Sequence, residues 1–281
     1  MKKVIIIPNQ TKDRELKVTD LVAKKLTSLG INVYIDRQYS EKLASVPYES
    51  SLSDSDMIIV VGGDGSMIDA SGLASALDIP ILGVNLGKVG YLGEVEPYNL
   101  DVLDKLPRGE YKIEERMLLL AEKTDTDGNT LISERLAVND VVISHDNYFG
   151  ISDFKLENKH GDSVRYRADG IIIATPAGST AYSLSAGGPI IAHGLDSITV
   201  TPVCPHSLFN RSIVFDSQEC ISVSNFKETP LCVSIDGRFF TQLKNGEICR
   251  VRKSEKRLKI LSFKENNMFS ALFSKIKTLE D

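Results

Sequence analysis

Several features are missing from this sequence, and each absence removes a class of function. No apolar stretch in the 281 residues approaches the roughly 20 that a membrane-spanning helix needs. Helical insertion in a membrane is thereby excluded. The four cysteines, Cys204, Cys220, Cys232 and Cys249, all lie in the last third and form no C-x-x-C pair. A zinc site or a disulfide framework is not indicated. His145, His160, His193 and His206 show no metal-ligand spacing and read as surface or structural residues. Positive charge is not in excess either: 33 Lys and Arg stand against 38 Asp and Glu, a net charge of −5. A general nucleic-acid binder is disfavoured, while a local basic pocket is not. With no signal peptide, repeat or low-complexity linker in view, the thiols are expected to be reduced and the protein cytoplasmic.

The standard nucleotide fingerprints are missing too. Gly83-Val84-Asn85-Leu86-Gly87-Lys88-Val89 resembles a P-loop, but has three residues between its glycines and no Ser or Thr after Lys88. Gly62-Gly63-Asp64-Gly65-Ser66-Met67-Ile68 has Ile68 where a dinucleotide fold needs its third glycine. Asp125-Thr126-Asp127-Gly128-Asn129 has the colour of a calcium loop without the later Glu, and reads as a hairpin turn.

What is present divides the chain in two. An apolar fraction of 42% and a charged fraction of 25% are ordinary for a globular protein, and the length suits two domains. Residues 1–106 alternate strand and helix signals. Val4 to Ile7, Ile31 to Ile35, Met57 to Val61 and Ile81 to Val84 are continuous apolar runs. Helical periods lie over Val18 to Leu29, with Gly30 as the stop, and over Ser66 to Leu77. Such runs predict a parallel sheet covered on both faces, with ligands beyond the strand C-terminal ends. From about residue 110 the pattern changes to short strands and tight turns. Candidates are Ile113 to Lys123, Leu131 to Ser144, Val164 to Tyr166, Gly170 to Ala174, Ser197 to Val203 and Ser212 to Phe215, then Cys220 to Val223, Leu231 to Ile235, Ile248 to Val251 and Leu258 to Phe263. The expected fold is therefore an α/β N-terminal domain with a parallel sheet, residues 1–108, and a β-rich, antiparallel, sandwich-like C-terminal domain, residues 109–263. The tail, 264–281, is expected to pack back on the first domain.

Four stretches carry chemistry. In Gly62-Gly63-Asp64-Gly65-Ser66 a buried strand ends in glycines that bracket one acid. Glycine lets the main chain approach a ligand, and N–H groups at the start of the next helix can hold an anion. With the helix cap expected at Ser66, Asp64 is left to bind a metal near phosphates or to act as base towards a hydroxyl. An ordinary strand-to-helix turn is the bland alternative. In Gly178 to Gly188 the hydroxyls of Ser179, Thr180, Ser183 and Ser185, the small Ala181 and Ala186, and Tyr182 suit a ribose and ring pocket. The alternative is a small-residue helix packed on a sheet. Asn139-Asp140 interrupts the apolar run Leu136 to Ile143, where polar groups are costly unless bonded. They grip sugar hydroxyls or mark a bulge or turn. Asp169 and Asp236, each before a Gly at a strand end, pose the same choice.

These motifs, with Asn85-Leu86-Gly87-Lys88-Val89-Gly90-Tyr91-Leu92-Gly93, the block from Asp169 to Pro189, and Pro205-His206-Ser207-Leu208, occur in the order and spacing of NAD kinases, the ATP or polyphosphate-ATP NAD kinase family. The chain resembles that family over nearly its whole length. The first motif also resembles those of diacylglycerol kinase-like lipid kinases and phosphofructokinases. The resemblance implies transfer of the γ-phosphoryl of ATP, with Mg²⁺, to the 2′-hydroxyl of the adenosine ribose of NAD, and leaves open whether polyphosphate can replace ATP as donor. It implies a homodimer or homotetramer whose sites form between domains and neighbouring subunits. Asp64 would be catalytic, and Gly62, Gly63, Gly65 and Ser66 would line the phosphates. Gly65, Asn139, Asp140, Asp169, Thr180, Ala181, Tyr182 and Ser185 would contact NAD, Asp169 at the nicotinamide end. No metal ligand is assigned beyond the phosphates and Asp64. The family commonly has Thr for Ser66, Glu for Asp140 and Thr for Ala177, so Asp140 is one methylene shorter. A lipid kinase and a non-catalytic dinucleotide sensor are the alternatives.

Overall fold

The structure, a computed structural model, describes residues 2–36, 39, 43, 46–47, 54–87, 93–145, 151–206 and 209–263. The chain forms two compact units: residues up to Glu115 together with those from Arg257 on, and the unbroken stretch Arg116–Lys256. The reading from sequence put the boundaries at 108/109 and 263/264; the divisions fall inside two strands, Lys112–Thr124 and Ile248–Ser262. The expected tail packing, 264–281, lies outside the described residues.

The first unit is built from β1 (Lys3–Pro8), α1 (Lys17–Ser28), β2 (Asn32–Ile35), β3 (Met57–Gly62), α2 (Asp64–Leu77), β4 (Ile81–Asn85) and β5 (Gly93–Val95). The strands run parallel in the order β2-β1-β3-β4, with β5 parallel to β4 and Ile260 opposite Ile81. The unalternated apolar runs follow from burial on both faces. Val4, Ile6, Met57, Ile59 and Val61 join the cluster that Val22, Ala23 and Leu26 of α1 complete. Ile5, Ile58 and Val60 are as deeply buried on the other face, where α2 contacts β3 and β4. Gly30, at φ +75, ends α1 as expected, since that conformation strains any residue with a Cβ.

The second unit is a sandwich of two antiparallel layers, as the fold reading predicted. Its elements are β6 (Lys112–Thr124), β7 (Thr130–Ala137), β8 (Asp140–His145), β9 (Ser152–Glu157), β10 (Ser163–Ala168), β11 (Gly170–Ala174), α3 (Tyr182–Ser185), β12 (Ser197–Val203), β13 (Ile213–Asp216), β14 (Cys220–Ser224), β15 (Leu231–Ile235), β16 (Arg238–Leu243) and β17 (Ile248–Ser262). One layer has the order β10-β9-β14-β17, with β6 pairing β17 and β7; the other is β13-β12-β11-β8-β15-β16. Their facing side chains, among them Leu119, Ile143, Phe154, Tyr166, Ile171, Val200, Val223, Val233 and Val251, form one buried cluster. Each such side chain contributes about 1.5–3 kcal/mol, against about 0–1 for an exposed ion pair such as Lys155–Glu157. The core, not the surface charge, holds this unit. Asp125 accepts the N–H groups of Asp127 and Asn129 and closes the predicted hairpin.

Two local expectations are corrected, and one alternative is set aside. Leu131 to Ser144 is two strands, not one, because the chain turns at Val138-Asn139 and passes from one layer to the other. Ile248 to Phe263 is one strand to Ser262 rather than two. The block from Gly178 is not a helix of useful length but a 3₁₀ turn, Gly178–Thr180, followed by the single turn α3.

Candidate active site

In the first unit three neighbouring strand ends meet at one edge of the sheet, since β1, β3 and β4 are adjacent. After β3, Gly63 is extended at φ −120 and ψ −171, and α2 begins at Asp64. The N–H groups of Asp64 and Gly65 stand in the first turn, before the helix ladder starts, where they can bind an anion. Ser66 is not the cap: its N–H bonds the Gly63 carbonyl at 2.9 Å, and its Oγ accepts Asn9 Nδ2 at 2.7 Å. Asp64 itself is half-buried at the head of the helix. Two of the glycines are required by close neighbours. A Cβ on Gly62 would lie 2.5 Å from Ser66 Oγ, and one on Gly63 would lie 2.4 Å from Lys12 Nζ. Gly65 is different, with nothing within 4 Å of that position.

The flanking loops are tied to this one. Asn9 N–H donates to the Val61 carbonyl, and its Oδ1 accepts the N–H groups of Thr11 and Lys12. Asp13 then accepts from the Thr19 N–H and hydroxyl, taking over the capping of α1 that Leu16 cannot supply. After β4, Leu86 N–H donates to the Gly62 carbonyl at 2.6 Å, and buried Asn85 accepts the Gly87 N–H and donates to Glu96. The rest of the Asn85–Gly93 motif, 88–92, lies outside the described residues.

In the second unit the turn between β7 and β8 is locked from two sides. Asp236, itself at φ +49, accepts the N–H groups of Val138, Asn139 and Asp140 at 2.9, 2.7 and 3.1 Å. Its own N–H donates to the Asp140 carbonyl. Thr175 takes the opposite side: its N–H donates to the Asn139 carbonyl, and its hydroxyl donates to the Val138 carbonyl. Gly178 packs so closely that a Cβ there would sit 1.9 Å from the Asn139 carbonyl oxygen. Every backbone group of the turn is thus spoken for. The Asp140 side chain is not: it is 4% exposed and makes no hydrogen bond or ion pair among the described residues. Burial first, and the nearby Asp236 charge second, push its carboxyl up to about 7. A buried acid without a partner is costly and suits a ligand hydroxyl that can satisfy it. Burial also raises Asp236, against the lowering effect of its three N–H bonds.

Comparison with known proteins bears on both loops. Residues 4–111 match the ATP-NAD kinase N-terminal domain model, and residues 138–263 match the ATP-NAD kinase C-terminal domain model. The chain belongs to the NAD kinase family. It is 37% identical over 284 residues to the NAD kinase of Thermoanaerobacter sp. strain X514, covering 98% of this chain and 99% of that one. It is 40% identical over 224 residues to that of Geobacter sulfurreducens, covering 79% and 78%. Among solved structures, an NAD kinase from Archaeoglobus fulgidus in complex with ATP superposes with a TM-score of 0.72 at 26% identity, covering 99% of both chains. Yeast NADH kinase complexed with NADH shares the fold at a TM-score of 0.86 and 22% identity, over 97% of this chain and 86% of that one.

Within this NAD kinase fold the nominated residues of the second unit fall into two groups. Asn139 and Asp140 lie beside the Gly178–Ser185 segment, with Tyr182 46% exposed and Ser185 at the surface. Asp169 does not join them. Asp140 pairs with Ala174 at one end of the β8–β11 ladder, while Gly170, next to Asp169, pairs with Ser144 at the other. Five residues of strand separate them, about 17 Å. Several hydroxyls of the segment serve the protein itself: Ser179 bonds Pro176 and Ile191, Thr180 bonds Ala177, and Ser183 bonds Thr201. Ser207 and Leu208 lie outside the described residues. Sequence reasoning missed Asn9, Lys12 and Thr175, and singled out Asp236 without giving it a role. Only Asp236, an acid before Gly at a strand end, carried a visible signal.

Proposed function

We propose that the chain forms NADP by moving the γ-phosphoryl group of ATP to the 2′-hydroxyl of the adenosine ribose of NAD. The observation that carries this reading is Asp64, an acid in the first turn of α2 directly after Gly62-Gly63. In the reaction the ribose O2′–H bond breaks and its proton passes to the Asp64 carboxylate. The oxygen then bonds to Pγ, and the bond from Pγ to the bridging oxygen breaks to release ADP. The N–H groups of Asp64 and Gly65 stabilise the charge that spreads over the transferring group. Asn139 and Asp140 bind the adenosine part of NAD, Asp140 through sugar hydroxyls. Thr180, Ala181, Tyr182 and Ser185 line the ring pockets.

Magnesium fits the donors present: no group of three or more His, Cys, Asp or Glu side chains among the described residues could hold a metal alone, so phosphate oxygens would supply most ligands, with Asp64 beside them. When bound, it neutralises phosphate charge. Asp169, distant from Asp140 along its own strand pair, serves the nicotinamide end in a homodimer or homotetramer, where a second copy supplies it. The reaction is placed in the cytoplasm.

Asp64→Asn keeps the shape and removes the charge. NADP formation from ATP, Mg²⁺ and NAD is expected to fall by about 10²–10⁴-fold. A variant rate near that of the unaltered protein overturns the assignment, and phosphorylation of diacylglycerol in place of NAD overturns the acceptor.

A further inference from the structure

We infer that Lys12 is a phosphate-binding residue of the ATP site, a role that rests on the donor assigned above. Lys12 lies outside every motif that led to that assignment. Its ammonium nevertheless reaches the glycine loop. Nζ sits 2.4 Å from where a Cβ of residue 63 would be, and 3.6 Å from where one of residue 87 would be. It therefore occupies space that only glycine leaves open, against the loops that follow β3 and β4.

The reach is built in from both ends. Asn9 fixes the start of the β1–α1 loop by bonding Ser66 and the N–H groups of Thr11 and Lys12. Asp13, directly after Lys12, is buried and tied to Thr19. The backbone on both sides of Lys12 is held. Its side chain, by contrast, makes no hydrogen bond or ion pair among the described residues. Most described lysines with a fixed ammonium pair with a carboxylate, as Lys25 does with Asp101 and Asp104. An ammonium held against the glycine loop with no carboxylate partner among the described residues is left to meet another anion there. A compact ammonium on a long stem suits a terminal phosphate. It also offsets the repulsion between Asp64 and the same phosphates.

The test is direct binding by calorimetry of ATP, ADP and adenosine to the full chain and to Lys12→Met and Lys12→Arg, with rates of NADP formation alongside. Lys12→Met is expected to weaken ATP binding by about 10- to 100-fold, to weaken ADP less, and to leave adenosine and the KM for NAD unchanged. Lys12→Arg should recover most of the loss. Equal weakening of adenosine, or a lowered melting temperature in Lys12→Met, would assign Lys12 to structure and overturn the inference. So would unchanged ATP affinity. Because binding is read without an acceptor, a failure here is separate from a failure to form NADP, which would count against the proposed function alone.

Discussion

The glycine loop of the first unit and the turn at Val138–Asp140 in the second prepare for ligands in opposite ways. In the first, Gly62 and Gly63 let Ser66 and Lys12 come close to the backbone, and the groups proposed to act are helix N–H groups, one half-buried acid and an exposed lysine. In the second, every backbone group of the turn is consumed by Asp236 and Thr175, and the buried Asp140 carboxyl makes no hydrogen bond among the described residues. An anion can be met by main chain held open, because N–H groups are uniform and need no particular side chain. A sugar hydroxyl, the ligand proposed for Asp140, needs one acceptor in one place, and the immobilised backbone around Asp140 suits that need.

The contrast breaks most easily at Gly178. Gly178→Ala would drive a Cβ into the Asn139 carbonyl, and the backbone there has no freedom to yield. A loss of about 3 kcal/mol or more in urea unfolding is expected, with a raised KM for NAD and an unchanged KM for ATP. Unaltered stability would show that the turn is not rigid.

Asp140 sharpens the contrast through pH. Its carboxyl titrates near 3.8 when unfolded and is pushed up to about 7 in the folded protein. Between those values the native state holds a proton that the unfolded state has released, so stability falls as pH rises from about 4 to about 7 and levels off above. Asp140→Asn should flatten this part of the profile and raise the melting temperature at pH 8, while weakening NAD binding. Equal slopes for the two proteins would remove the buried acid from the account.

The smallest expected effect is at Gly65, the glycine with open space around it. Gly65→Ala lies in the first turn of α2, where Ala is favoured by up to about 1 kcal/mol. Melting should hold or rise slightly while NADP formation falls, since a methyl group now stands where phosphate must approach. Unchanged activity would place the phosphates elsewhere.

How far the sequence could be read follows the same division. The parallel strands were legible because burial on both faces leaves unbroken apolar runs, as in Met57–Gly62. Glycines around Asp64 were legible because a bare backbone has a composition. Asn139-Asp140 announced itself as polar in an apolar run, but the turn did not, because its cause is Asp236, 97 residues away from Asn139. Local pattern cannot carry a bond of that span. β9 and β16 went unread because Ser152–Glu157 holds only two buried apolar residues and Arg238–Leu243 begins with exposed ones. Ser66 was misread as a cap because the sequence does not show Asn9 waiting for its hydroxyl.

The unbroken stretch Arg116–Lys256 interrupts the first unit, and this bears on synthesis. Ile260, which pairs with Ile81, and Leu261, fully buried in the first core, leave the ribosome only after the whole inserted stretch. The earliest part of the nascent chain therefore waits for the latest, and the half that begins second is the half that can finish first.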